Sequence, residues 1–305
     1  MMNGVYISLD QLARLRYQAR GFSFLPRQPI NSLLAGRHAS RLRGRGLNFE
    51  ELRRYQPGDD IRTIDWKVTA RTGKTHTRVY TEERDHPTLL VVDQRLSMFF
   101  GSQRAMKSVT AAEAAAVAAW RVVNAGDRVG AVVFNDADLV QIRPHLSRDR
   151  VMQILKAIVA QNQTLAPEAG KTANPAMLNR ALKETLRVAT HDHLVCLISD
   201  LNGADAETRQ LMTRLSQHND VIVAFIYDPL ETALPKAGRL TLSDGVQQLA
   251  IDSNSASLRQ RYQSQFQERL EKGKNILLKQ DVPLLQLTTT EDVIVQLRRL
   301  IGGNR

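Results

Sequence analysis

Four oxygen-bearing side chains fall in loops beside the ends of predicted strands or the starts of predicted helices. Asp93 and Ser97 follow one short apolar strand, and Asp200 follows another. Thr172 lies in a loop that precedes a helix. In an open α/β sheet, ligands bind outside the carboxyl ends of the strands. These four side chains therefore mark the candidate binding edge.

The same sequence offers no recognisable catalytic set. Ser97 has no His partner in a triad order, and the histidines lack the spacing of metal ligands. A phosphate-binding loop ending at Thr172 would need Gly at the position of Leu165, and a strand before it. We therefore expect binding and not catalysis.

Acidic residues around Asp59, Asp60 and Asp65 faintly resemble the carboxylates of a metal-dependent nuclease. They are crowded into one turn, with no second acidic element nearby. The alternative is that they fix this turn through charge-assisted hydrogen bonds with neighbouring arginines such as Arg62. We expect the adjacent Trp66 to pack as a core anchor.

The elements that must position the candidate edge alternate between strands and helices from Pro87 onward. The predicted strands are 88–92, 128–134, 139–143, 193–198, 221–227 and 283–287. The predicted helices are 103–124, 148–161, 206–218, 255–278, 290–301, and one that Asn174 caps with Pro175 in its first position. This alternation is typical of a mostly parallel sheet covered by helices on both faces.

Residues 1–86 differ from the rest and are expected to form a separate basic segment, with 87–305 as the α/β domain. Between residues 1 and 84, sixteen Lys and Arg stand against eight Asp and Glu, which accounts for most of the net charge of +11. The pattern predicts a short amphipathic helix at 8–20 and a strand at 77–81. A basic segment can attract nucleic acid, anionic lipid or an acidic protein surface, or can simply be solvated.

Composition places the chain among folded globular proteins of a reducing compartment. It has 305 residues, of which 43% are hydrophobic and 24% charged. Its start lacks the apolar run of a signal peptide, and its apolar stretches are too short to cross a bilayer. The single cysteine, Cys196, excludes an intramolecular disulfide. We expect a cytoplasmic protein.

Two stretches carry a resemblance to a known family. The run from Phe49 to Arg84 contains Arg-Tyr-x-Pro-Gly-Asp-Asp-x-Arg-x-Ile-Asp-Trp, and the second stretch is Asp93-Gln94-Arg95-Leu96-Ser97-Met98. Together they resemble the domain-of-unknown-function 58 (DUF58) family of bacterial proteins, in its short soluble subgroup, over nearly the whole chain. The resemblance implies a von Willebrand factor A-like fold, a three-layer α/β sandwich with a doubly wound, mostly parallel sheet. Members of the family are often encoded beside MoxR-type AAA+ ATPases.

The resemblance also implies a metal-ion-dependent adhesion site. Its pattern is Asp-x-Ser-x-Ser after the first strand, a Thr in a middle loop and an Asp after a later strand. Asp93, Ser97, Thr172 and Asp200 match these positions. Mg²⁺ takes oxygen ligands and keeps coordination places for water or an incoming carboxylate, so a partner's Asp or Glu could complete the shell.

One position departs from this pattern, because Arg95 replaces the first Ser. The site could still bind Mg²⁺, or Arg95 could point outward and leave a weak, degenerate site. Alternatively, the guanidinium could take the metal's role and bind a partner carboxylate directly. If the site is degenerate, we expect Arg95→Ser to create or strengthen Mg²⁺ binding.

By resemblance, the leading function is a non-enzymatic protein-binding adaptor. It would work with a MoxR-type AAA+ ATPase in chaperone-like assembly or maturation of a complex whose client the sequence does not name. The expected partner-binding residues are Arg95, Arg54, Asp59, Asp60 and Arg62. The alternative is a nucleic-acid- or anionic-surface-binding protein that uses the arginine-rich run 37–45. That run lacks aromatic residues for stacking on bases, which disfavours the alternative.

Overall fold

The computed structural model describes residues 4–19, 47–82, 86–166, 173–243, 248–278 and 282–301. The chain divides into two compact units. The large unit comprises Met1–Arg27 with His86–Arg305, and the small unit comprises Gln28–Asp85.

Each unit has its own strands and helices. In chain order the strands are β1 (Leu47–Arg54), β2 (His76–Glu82), β3 (Thr88–Asp93), β4 (Val129–Phe134), β5 (Leu139–His145), β6 (Leu194–Ser199), β7 (Asp220–Tyr227), β8 (Arg239–Ser243), β9 (Gln248–Asp252) and β10 (Leu284–Thr288). The helices are α1 (Leu9–Arg14), α2 (Trp66–Thr72), α3 (Lys107–Ala125), α4 (Arg148–Gln163), α5 (Ala176–Val188), α6 (Ala206–His218), α7 (Pro229–Thr232), α8 (Ala256–Leu278) and α9 (Val293–Ile301). Short 3₁₀ helices lie at Leu15–Tyr17, Ile61–Thr63 and Leu96–Met98.

A six-stranded sheet forms the centre of the large unit, in the order β10-β7-β6-β3-β4-β5. Neighbouring strands are parallel except for the edge pair β4 and β5. Strand β3 lies in the middle, where Leu90 pairs with Ala131 on one side and Cys196 on the other. All six residues of β3 are buried, as expected for a continuous apolar run in a parallel sheet. The predicted mostly parallel sheet is confirmed.

Helices cover both faces of this sheet. Successive residues of a strand point to opposite faces. Leu90 and Val92 pack in the core cluster that includes residues of α1, α3, α4 and α9, whereas Leu89 and Val91 pack in the cluster of α5 and α6. Helix α3 has fourteen of its nineteen residues buried, because alanines let it lie close to its neighbours. The three-layer α/β sandwich is thereby confirmed.

The first helix packs in the large unit and not in a separate N-terminal segment. Ser8 begins α1 with a capping box, which satisfies the first amides of the helix. Leu12 is fully buried, and its carbonyl oxygen accepts a hydrogen bond of 3.3 Å from the indole of Trp120. The sequence predicts that residues 1–86 form one segment. In the structure, Met1–Arg27 belongs to the large unit instead, because α1 supplies apolar side chains to the core of that unit.

The small unit is built on the antiparallel pair β1 and β2, with α2 between them in sequence. The predicted strand at 77–81 lies within β2. Strand β1 and helix α2 were not predicted from the sequence. Among the described helices of the whole chain, none has the length and apolar character needed to span a membrane.

Candidate functional site

Three of the four predicted edge residues lie together at the carboxyl ends of the strands. Asp93 ends β3, and its carboxylate accepts a 2.6 Å hydrogen bond from the Ser199 hydroxyl at the end of β6. The hydroxyl of Ser97 lies 3.4 Å from a carboxylate oxygen of Asp200. Thr172 lies outside the described residues.

Arg95 lies buried at this edge and binds the carboxylate of Asp93. Its Nε and Nη2 donate to the two carboxylate oxygens of Asp93, with the shortest contact at 2.7 Å. Its Nη1 donates to the backbone carbonyl oxygens of Pro175 at 3.3 Å and Asn202 at 3.0 Å. The guanidinium also lies 5.5 Å from the ring centroid of Phe134. A bidentate pair between arginine and a carboxylate is among the strongest charge-assisted hydrogen-bonded contacts.

The expectation that Arg95 binds a partner's carboxylate is therefore wrong, and so is the outward-pointing alternative. The side chain of Arg95 is only 2% exposed, and all three of its nitrogens donate to acceptors within the chain. A partner carboxylate would first have to displace Asp93, which is itself fully buried.

Lys107 is a second internal cation at this edge, which sequence reasoning missed. It begins α3, and its Nζ lies 2.9 Å from Asp200 Oδ2 and 2.8 Å from Glu231 Oε1. Its side chain is 2% exposed. A cation in the first turn of a helix opposes the helix dipole, so the two carboxylates must compensate for both the dipole and the burial.

The pKa directions agree with a set of paired charges. Burial alone would raise the pKa of Asp200, but Lys107 and Arg95 outweigh burial and hold that pKa below its ordinary value. Burial alone would lower the pKa of Lys107, but Asp200 and Glu231 hold it above its ordinary value. Both groups are therefore charged at neutral pH. We call these seven residues the strand-end cluster: Asp93, Arg95, Ser97, Lys107, Ser199, Asp200 and Glu231.

The strand-end cluster does not fit a divalent cation. The family pattern would offer Asp93 and Asp200 to the metal, but each carboxylate is already paired with a cation of the chain. Mg²⁺ binds oxygens at about 2 Å and would meet Arg95 and Lys107 as like charges at short range. Within the described ranges, no group of three or more His, Cys, Asp or Glu residues is arranged to hold a metal ion.

Two further carboxylates tie the neighbouring loops together. Asp228, directly after β7, accepts hydrogen bonds from the Ser102 amide at 2.8 Å and from the Thr289 hydroxyl. Asp136, after β4, accepts from the Asn174 amide at 2.7 Å. These acids therefore serve as structural acceptors that fix the loops around the strand-end cluster.

The other expected partner-binding residues lie in the small unit. Asp59 accepts a hydrogen bond from the Gln56 amide and pairs with Arg53 at 2.7 Å. The hydrogen bond from the Gln56 amide has the larger effect, and together with Arg53 it holds the pKa of Asp59 below its ordinary value. Asp60 accepts from the Arg62 amide at 2.9 Å. The carboxylates therefore fix the turn, as the structural alternative held.

Asp65 holds the second half of the same connection. Its Oδ1 accepts from the amides of Lys67 and Val68 and so caps α2, while its Oδ2 lies 2.8 Å from Arg78 Nη2. The Val68 amide and Arg78 hold the pKa of Asp65 below its ordinary value. Gly73 then ends α2 in the left-handed conformation, with φ of 67°.

Two large apolar side chains are left on the surface of this fixed turn. Ile61 is 66% exposed and Trp66 is 68% exposed, so the expectation that Trp66 anchors a core is wrong. We call residues 61–71 the Trp66 segment. Its cations Arg62, Lys67 and Arg71 are exposed, and within the described part of the chain their side chains form no ion pair. Arg54, on β1, is exposed in the same way.

Comparison with known proteins connects these features with a family. The family model of DUF58, described as a protein of unknown function, matches residues 51–272. The uncharacterized proteins Rv1480 of Mycobacterium tuberculosis and Mb1516 of Mycobacterium bovis are each 29% identical over 296 residues, which covers 96% of this chain and 90% of theirs.

Solved structures with a partial likeness include the conserved hypothetical protein BatB from Bacteroides thetaiotaomicron, with 12% identity and a TM-score of 0.40. The alignment covers 69% of this chain and 93% of that one. The SpRpn10 VWA domain is 7% identical with a TM-score of 0.40, covering 71% of this chain and 95% of that domain. The sequence block that ends at Trp66 lies inside the matched range of the family model. The chain belongs to the DUF58 family.

Proposed function

We propose that this protein is a non-enzymatic, protein-binding adaptor that works with a MoxR-type AAA+ ATPase in chaperone-like assembly or maturation of a protein complex. One observation carries the proposal, namely the exposure of Ile61 and Trp66 on a segment whose backbone amides are hydrogen-bonded by carboxylates. Exposed aromatic side chains beside arginines are typical of the residues that dominate protein–protein binding energies.

The contacts that hold the turn favour binding. Asp59, Asp60 and Asp65 satisfy backbone amides of the Trp66 segment and its approach, and two of them also pair with arginines. A segment that is already ordered loses little conformational entropy when a partner covers it. Burial of an indole in a partner's pocket can then contribute about 2 kcal/mol or more.

The charges indicate the chemistry of the partner. Asp60 and Asp65 accept hydrogen bonds from backbone amides, whereas Arg62, Lys67 and Arg71 remain on the surface. An acidic protein surface around an apolar pocket would complement this arrangement. Such complementarity speeds association and selects the partner.

The strand-end cluster supports a non-enzymatic role. A general base works best when its pKa lies near the working pH. Asp200 is instead held in its charged form, well engaged with Lys107 and with a lowered pKa. Arg95 and Asp93 are likewise paired with each other in the interior.

The test is affinity capture of the tagged full-length protein from its native cells in the presence of ATP. We expect an AAA+ ATPase to be recovered with the wild type and with Tyr17→Ala, and at least tenfold less with Trp66→Ala, which corresponds to about 1.4 kcal/mol. Tyr17 is the matched control because it is an aromatic residue of the large unit that is 63% exposed. Asp93 is unsuitable for this test, since its replacement would leave Arg95 without its buried partner.

Equal recovery with wild type and Trp66→Ala would contradict the proposal. Recovery of nucleic acid in place of an ATPase, with a steep loss at higher salt, would instead favour the arginine-rich run 37–45 as the binding region. That run lies outside the described residues.

A further inference from the structure

We infer that Arg95 and Lys107 together replace the divalent cation of the adhesion-site pattern, so that the strand-end cluster is a cation site permanently filled by the chain's own side chains. The inference is independent of the proposed function. It rests on charge, on distance and on burial within the cluster.

The two cations bring the same positive charge as one divalent metal ion. Arg95 and Lys107 supply two positive charges, which is the charge of one Mg²⁺ ion. They face three carboxylates, those of Asp93, Asp200 and Glu231. Without the two cations, Asp93 and Asp200 would be buried and uncompensated, which is strongly unfavourable.

The distances show which carboxylates each of the two cations contacts. Asp200 lies between them, because its Oδ1 is 3.8 Å from Arg95 Nη2 and its Oδ2 is 2.9 Å from Lys107 Nζ. Asp93 pairs with Arg95 at 2.7 Å, and Glu231 pairs with Lys107 at 2.8 Å. A metal ion ligated by Asp93 and Asp200 would have to displace both cations.

The same contacts connect several loops. Lys107 joins the start of α3 to the loop after β6 and to α7. Arg95 joins the loop after β3 to the carbonyls of Pro175 and Asn202, which precede α5 and α6. In a metal site, a chelator could remove the cation that connects the loops. Here the cations are side chains of the protein, so a chelator cannot remove them.

The arrangement changes what a single substitution can do. The sequence alone predicts that Arg95→Ser creates or strengthens Mg²⁺ binding at a degenerate site. The structure revises that prediction, because Lys107 stays paired with Asp200 in this variant, and we expect Arg95→Ser to remain a poor metal binder. Replacing both cations, in Arg95→Ser with Lys107→Met, leaves the carboxylates of Asp93 and Asp200 and the Ser97 hydroxyl without a cation between them. Such a set of hard oxygen donors suits Mg²⁺ or Mn²⁺.

The experiment measures Mn²⁺ binding by the purified full-length protein, from the loss of the free Mn²⁺ signal in electron paramagnetic resonance. We expect no binding by the wild type. We expect the double variant to bind at least tenfold more tightly than either single variant, and to lose binding when Asp200→Asn is added. Circular dichroism checks that each variant is folded.

Two outcomes would overturn the inference. One is Mn²⁺ binding by the wild type that Asp200→Asn abolishes, and this measurement decides the matter even where the double variant does not fold. The other is a folded double variant that binds Mn²⁺ no better than Arg95→Ser alone.

Discussion

The two units of the chain use charged residues in opposite ways. In the strand-end cluster of the large unit, Arg95 and Lys107 pair with carboxylates in the interior. At the Trp66 segment of the small unit, Asp65 and the preceding Asp60 accept from backbone amides, while Arg62 and Lys67 stay at the surface. Buried ion pairs stabilise the fold, whereas exposed cations beside exposed apolar side chains form a surface that a protein partner can bind. The exposed turn is therefore better suited to contact a partner than the internally paired strand ends are.

Breaking the buried pairs should have the largest effect on stability. Asp200→Ala leaves Lys107 with Glu231 alone, and the loss of one partner from a buried pair costs about 3–5 kcal/mol. The free energy of unfolding in urea measures this loss. The control is Asp10→Ala in the exposed pair Asp10–Arg14, whose side chains are 70% and 76% exposed, and for which we expect less than about 1 kcal/mol. Similar losses in the two variants would contradict the contrast.

The two tryptophans should separate the regions in the same way. Trp120 is 3% exposed and packs in the core of the large unit, so Trp120→Ala should cost about 3–5 kcal/mol. Trp66→Ala should change stability by no more than about 0.5 kcal/mol, because the indole is mostly in solvent. Urea unfolding of both variants checks the difference. A large loss with Trp66→Ala would show that the indole is structural.

Acid should weaken the strand-end cluster through Asp200. The pKa of Asp200 in the folded state lies below its ordinary value of about 3.9 in the unfolded chain. The stabilisation by its pairing is therefore fully present above pH of about 4 and is lost as the pH falls through the folded-state pKa. We expect the unfolding free energy of Asp200→Asn to fall less steeply in this acidic range than that of the wild type. Parallel curves for the two proteins would contradict the assignment.

Charge reversal in the Trp66 segment should have the smallest effect on the molecule itself. Arg62→Glu with Lys67→Glu removes no ion pair among the described residues, so stability should change by no more than about 0.5 kcal/mol. Association with an acidic partner should become slower and lose its salt dependence, as surface plasmon resonance would show. An unchanged association rate would argue against electrostatic guidance by this segment.

The sequence predicted the sheet well because buried parallel strands appear as continuous apolar runs. The apolar runs of β3, β6 and β7 placed their strands to within one residue, and they placed Asp93 and Asp200 at one edge. Strand β1 was missed because Glu50, Glu51, Arg53 and Arg54 interrupt the alternation expected of a strand.

Two features of the candidate sites could not be predicted from local patterns. Lysines in the first turn of a helix are usually exposed, so Lys107 gave no signal by itself. The surrounding alanine-rich sequence of α3, apolar on all sides, was the available sign that its first turn is buried. Trp66 was expected inside because large aromatics are highly buried on average. It lies instead in the first position of the seven-residue helix α2, where its indole is in solvent.

The central claim is that Trp66 is the point of contact with a protein partner, and fluorine NMR tests it most directly. The chain has two tryptophans, so protein labelled with fluorotryptophan gives one signal from Trp66 and one from the buried Trp120. When the unlabelled, purified ATPase is added, we expect the Trp66 signal to shift and to lose its response to solvent deuterium, while the Trp120 signal keeps its position. Binding of the ATPase that leaves the Trp66 signal unshifted and solvent-exposed would contradict the account.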